Sequence, residues 1–425
     1  MVTIKVENLI DFVADVFGHA ESSSEEARRI ATYLTTANLT GHDSHGVIRV
    51  PVYIRWKKTG AVVPNQTPEI VVDTPSLAVV DGKFGYGQTV TPIAVKLGIE
   101  KCKKAGLAAV ALRNAGHIGR VGDWAEMAAA EGLVSVHFVN AAGSLLVAPF
   151  GGVEKRLSTA PYCVGIPREG QDPIVLDFAT SVVAEGKVLV ASRGGKKLPK
   201  GALIDHDGTL SEDPAVLYGP HTAEGPRDHT KGTGAIRAFG EHKGSGLAFI
   251  CELLGGALTG TGATSGGRQF ANGMLAFYVD PKVIDTSNYF DEEISRSSLF
   301  EPGGRPTERQ PLADASQIDG MRERDAASDV LDDAVHPVDR PDLGIRLVDR
   351  RAAVAQSIEI AQNARVEPAA GDTPGAIGRN ERPAQTWGRS INGEGACLPV
   401  QGGQFAGLAE AGHRRLASLE LVEDG

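Results

Sequence analysis

The stretch "NLTGHDSHGVIRVP", residues 38–51, sets His42 and His45 three positions apart, with Asp43 and Ser44 between them and Arg49 close behind. An imidazole exchanges protons near neutral pH. A guanidinium grips a carboxylate through two parallel hydrogen bonds. The stretch therefore reads as a catalytic corner, a metal site or a polar turn between helices. A zinc-type site needs further ligands at fixed spacing. His-x-x-His here has none, so no metal is expected. Ser44 lacks the G-x-S-x-G setting of a hydrolase nucleophile.

A second such place is "RNAGHIGRVGD", where Gly116, Gly119 and Gly122 surround His117 and Arg120. Glycines let a backbone approach a ligand. A helix predicted to start just after would offer free N–H groups to an anion. One reading is a phosphate-bearing ligand beside a proton-transfer histidine; the other is a turn whose histidine caps a helix. "LDFATS" (176–181) ends a predicted strand in a polar corner, and "EHKGSG" (241–246) puts His242 and Lys243 before an apolar helix. The first corner could hold ribose and amide groups, but a capped helix start is the favoured explanation; for the second, a lysine that binds phosphate or carboxylate and an exposed loop weigh equally. No G-x-G-x-x-G follows a strand with an acid about twenty residues on, so a dinucleotide would not bind through a Rossmann unit.

The elements that must hold these residues are legible in outline. Ser23 and Glu26 have the spacing of a capping box, Ala27, Ile30, Ala31 and Leu34 share a helical face, and Gly41 stands where that helix should stop. A second helix is predicted from about Arg49–Pro51 to Lys58, which puts His45 in the connection. From about Glu69 the pattern alternates between short β-rich runs and helices. "GLAAVALRNAGHIGRVGDWAEMAAAEGLVSVHFVN" reads as strand, loop, helix, strand, a βαβ-like unit. Past residue 296 the character changes, with no lysine after Lys282 and Trp387 and Phe405 the sole aromatics beyond Phe300. The expected division is a helical segment 1–68, an α/β region 69–296, a segment 297–372 with little core of its own, and a degenerate helical segment 373–425.

Composition limits the function classes. A net charge of −10 argues against nucleic-acid binding, while a local arginine can still attract a small anion. Cys102, Cys163, Cys251 and Cys397 are widely spaced and form no zinc or disulfide pattern. With acids inside its first residues and no long apolar run, the chain is expected to be cytoplasmic and free of membranes.

Taken in order, "GHDSHGVIRVPVYI", "NAGHIGRVGDWAEMAAAEGLVSVHFVN", "VAPFGG", "LSTAPYCVGIPR", "VLDFATS", "LPKGALIDHDGTLSEDPA" and "FGEHKGSGLAFICELLGGALTG" resemble the malate/L-lactate dehydrogenase superfamily of the non-Rossmann type, over roughly residues 5–295. The resemblance implies an α/β fold with a sheet-based cofactor domain and a helical layer from the chain ends. It also implies a homodimer that uses NAD or NADP to oxidise small 2-hydroxyacids or reduce 2-oxoacids. His117 matches the family's proton acceptor, His45 a residue of the cofactor and substrate pocket, and Arg49 the substrate-carboxylate clamp. Gly119, Arg120 and Val121, the strand end Val175, Leu176, Asp177, Phe178 and Ala179, and Asn140, His242, Lys243 and Asn272 match cofactor positions. Reduction of a cyclic imine carboxylate would use the same clamp, and a relative crippled by its altered ending would bind nucleotide without turnover. Relatives close with a short segment and a helix. Here about eighty dissimilar residues intervene, an insertion or a shifted reading frame.

Overall fold

The computed structural model describes residues 4–296 except 194–196 and 221–227, so the segments expected at 297–372 and 373–425 lie outside the described residues. Three helices open the chain: α1 (Val6–His19), α2 (Ser24–Leu39) and α3 (Val50–Lys58). Ser23 caps α2, its Oγ accepting from Glu26 N at 3.2 Å. The expected capping box is only half made. Glu26 turns inward instead, accepting from Asn65 N at 2.8 Å and Thr89 Oγ at 2.9 Å, so its buried carboxylate ties α2 to later parts of the chain. Past the end of α2, Gly41 adopts φ 84°. The chain reaches α3 through two 3-10 turns, Asp43–His45 and Val47–Arg49, with Pro51 in the first turn of α3.

Next come β1 (Glu69–Asp73), β2 (Leu77–Asp81), α4 (Gly87–Ala105), β3 (Leu107–Ala115), α5 (Gly122–Ala130), β4 (Val134–Ala142), β5 (Val147–Ala148), β6 (Pro161–Ile166) and β7 (Ile174–Ala179). A smaller region holds α6 (Glu185–Ser192), β8 (Leu203–Ile204), β9 (Leu210–Ser211), α7 (Ala215–Tyr218), β10 (Ala235–Arg237) and α8 (His242–Cys251). A π-helical turn at Glu252–Ala257 leads to β11 (Ala271–Val279), α9 (Pro281–Ile284) and α10 (Tyr289–Arg296).

The larger sheet runs β1-β2-β3-β11-β4-β6-β7, and the smaller runs β5-β10-β8-β9. The sequence reading of β3, loop, α5 and β4 as a βαβ-like unit needs correction. β11 lies between β3 and β4, antiparallel to both. The physical reason is that β11 is buried over nearly its whole length, and such a strand needs a partner on each side. The larger sheet is thus mainly antiparallel, unlike an open, all-parallel dinucleotide-binding sheet.

Three apolar cores form. The first packs α4 and α5 on the larger sheet around Trp124, Val90 and Tyr278. The second joins the smaller sheet to α6 and α8 around Leu203, Val188 and Leu217. The third lies among α1, α2 and α3 around Phe17, Ile30 and Tyr53. The turns bearing His45 and Arg49 bridge two of them, because Val47 and Val50 pack on the third core and Ile48 on the second. Among the described residues no helix is long and apolar enough to cross a membrane.

Candidate active site

The loop between β3 and α5 is held from several sides. Asn114 and Gly119 take left-handed backbone conformations, φ 52° and 73°, which Asn and Gly tolerate best. Ile118 N–H donates to Asn272 Oδ1 at 3.0 Å, and Asn272 Nδ2 donates to the Asn140 carbonyl at 2.7 Å. The fully buried Trp124 donates its indole N–H to the Ile118 carbonyl at 3.2 Å. On the other side Gly87 presses against the loop: a Cβ there would lie 2.2 Å from the His117 carbonyl oxygen and 2.5 Å from Ile118 Cα. Because both obstacles are backbone, Gly87→Ala should displace the His117 loop. We expect roughly a tenfold loss of turnover and about 1–3 kcal/mol of stability. Gly18→Ala, where a Cβ would meet nothing within 4 Å, should leave activity unchanged. Steady-state rates and thermal unfolding of the two variants check this.

His117 meets the turn residues directly. Its ring stacks on that of His45, with centroids 5.4 Å apart and planes 14° from parallel. His117 Nδ1 lies 2.6 Å from Tyr53 Oη, and Gln88 Nε2 donates to the same phenol at 3.0 Å. His45 Nδ1 lies 2.9 Å from Ser44 Oγ, so a neighbour between the two histidines of the motif does orient the ring. Arg49 Nε donates to the Ser44 carbonyl at 2.6 Å. Trp56 and Phe270 stack at 4.5 Å and wall the His117 ring at 6.4 Å and 6.3 Å. The turn itself is pinned by Asn38, whose Oδ1 accepts from Val47 N at 2.9 Å and whose Nδ2 donates to Asp43 at 2.5 Å.

Burial first, then the charge of Arg49, hold the His117 imidazole well below its usual range. His45 is lowered by burial and then by His117, Arg49, His42 and Arg120. Both rings are therefore held neutral, each with Nδ1 hydrogen-bonded. The Tyr53 hydroxyl can donate its own proton to the His117 carbonyl at 3.3 Å, and the tautomer in which His117 Nδ1–H donates to the phenol leaves Nε2 as the acceptor. The sequence reading missed Tyr53, which is buried in α3 and looks like a core residue. Its phenol holds the His117 ring through the hydrogen bond with Nδ1. Tyr53→Phe should lower kcat about tenfold, the worth of one hydrogen bond near 1.4 kcal/mol, with little change in KM. An unchanged kcat and pH profile would reduce Tyr53 to a packing role.

The other sequence-predicted residues fall into three groups. Arg120 is buried and turned inward: Nε donates to Asp123 at 2.8 Å and a terminal nitrogen to Glu126 at 2.6 Å. Asp177 accepts from Gly122 N at 2.7 Å. This corrects the reading of the α5 N-terminus as an open anion site with an arginine fork beside it. The molecule's own carboxylate takes that N–H, and the guanidinium is already answered by Asp123 and Glu126. Burial pushes the Asp123 and Asp177 carboxyls up. Asn140 and Asn272 are buried too. Asn140 donates to the Gly262 carbonyl at 2.9 Å and accepts from Gly273 N at 3.2 Å. Their side chains support the loop and β11 from within.

Val175, Leu176, Asp177, Phe178 and Ala179 lie on β7, the edge strand, and remain partly or largely exposed. Val121 is buried in the first core. His242 and Lys243 are exposed at the start of α8, where the His242 ring meets Phe150 at 5.9 Å. No hydrogen bond or ring contact joins them to the His45–His117 pair among the described residues. Nor do the described residues contain a group of three or more His, Cys, Asp or Glu able to hold a metal ion.

The model of the family described as malate/L-lactate dehydrogenase matches residues 4–311. The chain belongs to that family. It is accordingly an oxidoreductase, of the pyridine-nucleotide-dependent dehydrogenases and related reductases. Hydroxycarboxylate dehydrogenase B of Escherichia coli is 43% identical over 254 residues, which span 60% of this chain and 67% of that protein. L-sulfolactate dehydrogenase of Methanocaldococcus jannaschii is 33% identical over 297 residues, 68% of this chain and 81% of that one. The solved structure of the Δ1-piperideine-2-carboxylate reductase of Pseudomonas syringae aligns with a TM-score of 0.62 at 27% identity, covering 85% of this chain and all of that one.

Proposed function

We propose that this protein interconverts a 2-hydroxycarboxylate and a 2-oxocarboxylate with NAD or NADP, using His117 as the proton acceptor and donor. The observation that carries this reading is the convergence of a neutral imidazole, fixed through Nδ1 by a buried phenol, with a guanidinium whose charge reaches that same imidazole. Oxidising a hydroxyacid removes a hydroxyl proton, which His117 Nε2 accepts. Arg49 holds the substrate carboxylate and so fixes the reacting carbon's orientation. His45, stacked on His117 and oriented by Ser44, completes the wall of the pocket.

The residues present fit a nicotinamide nucleotide. Along its outer edge β7 offers backbone donors and acceptors suited to carboxamide and ribose groups, in the stretch Val175–Ala179. Gly119 and Val121 would contribute backbone, as would Arg120, whose guanidinium is engaged elsewhere. Exposed Lys243 and His242 at the α8 N-terminus suit phosphate. Asn140 and Asn272 would act from behind, by shaping the loop. Bound there, the nicotinamide supplies or receives the hydride. Phe249, Ile250, Leu253 and Leu258 form an exposed apolar stripe along α8 and the turn after it, which supports a homodimer.

The test is a matrix of both cofactors against pyruvate, oxaloacetate, 2-oxoglutarate, phenylpyruvate and a cyclic imine carboxylate. Turnover of an oxoacid supports the proposal. Turnover of the imine alone would assign reductase activity instead. Cofactor binding without any turnover would mark a nucleotide-binding relative that has lost catalysis.

A further inference from the structure

Arg49 does not stand alone in the pocket. Its terminal nitrogen lies 3.4 Å from Glu185 Oε2, and both side chains are largely shielded, 12% and 22% exposed. Glu185 is the first residue of α6, whose Val188 and Leu189 belong to the second core, whereas Arg49 comes from the turn before α3. The carboxylate is held in place. The Tyr218 phenol donates to Glu185 Oε1. The next residue, Gly186, packs against Ser44 so tightly that a Cβ would lie 2.6 Å from Ser44 Cβ and 3.2 Å from an Arg49 terminal nitrogen. Helix α6 is thus seated on the same turn that carries His45 and Arg49.

Two consequences follow. The ion pair is longer than a close charge-assisted bond of about 2.7–2.9 Å, so Arg49 keeps donor capacity for a second carboxylate. Glu185, however, cannot swing away without losing the Tyr218 hydrogen bond, and its backbone is fixed by the seating of Gly186 on Ser44. An incoming substrate carboxylate must share the guanidinium with a fixed negative charge. One such charge is tolerable, because Arg49 bridges it. A second carboxylate on the substrate would bring a further negative charge into the shielded site that already holds Glu185.

Resting on the oxidoreductase reading above, we infer that Glu185 is a specificity-determining residue that sets this pocket for monocarboxylate hydroxy- and oxoacids and against dicarboxylates. Bringing like charges together in a recognition site is a common means of excluding a wrong partner.

The experiment compares kcat/KM for 2-oxobutyrate and pyruvate with that for oxaloacetate and 2-oxoglutarate. Wild type should favour the monocarboxylates by about tenfold or more. Glu185→Gln, which keeps size and the Tyr218 contact but removes the charge, should raise the dicarboxylate-to-monocarboxylate ratio by about tenfold. Glu185→Asp, which keeps the charge, should leave that ratio near the wild-type value. Oxamate and malonate inhibition constants should move in the same sense as the substrates. A wild-type preference for dicarboxylates would overturn the inference even if neither variant folds. An unchanged ratio in a folded, active Glu185→Gln would also overturn it and leave the oxidoreductase reading intact. A wild-type enzyme inert toward every oxoacid would instead overturn the underlying reading, and this one with it.

Discussion

Replacing His117 with alanine should lower kcat by about a hundredfold to ten-thousandfold, the usual size of general acid–base assistance. In activation free energy this is about 3–5 kcal/mol. Cofactor affinity should change little, because the loop is also held by Asn272, Trp124 and the close approach of Gly87. The pH dependence makes the test specific. Burial, then Arg49, depresses the imidazole, so the free enzyme's neutral form persists below the usual value of about 6.5. Hydroxyacid oxidation needs that neutral form. Its kcat/KM should therefore stay level through neutral pH and fall only as pH drops through the depressed value. Oxoacid reduction needs the protonated form and should weaken as pH rises from that same low value. Once a substrate carboxylate neutralises Arg49, one cause of the depression is removed. The limb seen in kcat should then lie at higher pH than the limb seen in kcat/KM. Loss of both limbs in His117→Ala would complete the assignment. An active variant with wild-type limbs would take His117 out of the mechanism.

Much of this site was legible because its chemistry is local. His45 and Arg49 sit in a Gly-bounded turn, and His117 in a loop with several glycines, so type and spacing alone marked them. Their meeting was not legible, because it depends on how the third core packs against the first. Tyr53 was hidden by its helix. An aromatic at apolar spacing reads as core, and it is core, yet its hydroxyl reaches His117. One signal was available: Tyr53 follows Arg49 by four residues, the spacing that puts side chains on one helix face. Arg120 carried a comparable signal in Asp123 and Glu126, three and six positions on, which turn its guanidinium inward. The resemblance to a family marks Asn140 and Asn272 as cofactor positions without saying which atoms act, and here their side chains face the interior. The elements were readable from periodicity, but the seating of β11 between β3 and β4 was not. Strand order rests on partners distant in sequence, and no local pattern encodes it.

Arg49→Lys should reduce kcat/KM on the best oxoacid about a hundredfold, although charge is conserved. The geometry says why. Arg49 spends Nε on the Ser44 carbonyl at 2.6 Å and offers its terminal nitrogens to Glu185 and the pocket. A substrate carboxylate is therefore met end-on by the terminal pair, while Nε holds the turn. Lysine has one nitrogen on a flexible stem and cannot do both. If Nζ takes the substrate, the Ser44 carbonyl loses its donor, and the turn that aims Ser44 Oγ at His45 Nδ1 loosens. If Nζ stays on Ser44, the carboxylate loses a charge-assisted pair worth roughly 1.5–3 kcal/mol. Either outcome raises KM, and loosening of the turn lowers kcat as well. The substrate supplies its own control. Replacing the oxoacid carboxylate with its neutral amide should cost wild type far more than it costs Arg49→Lys, because the variant has already lost the fork. Thermal unfolding within a few degrees of wild type would show that the turn still folds. A variant with unchanged kcat/KM, and with the same amide penalty as wild type, would make Arg49 a structural residue of the turn and leave the carboxylate clamp to be found elsewhere.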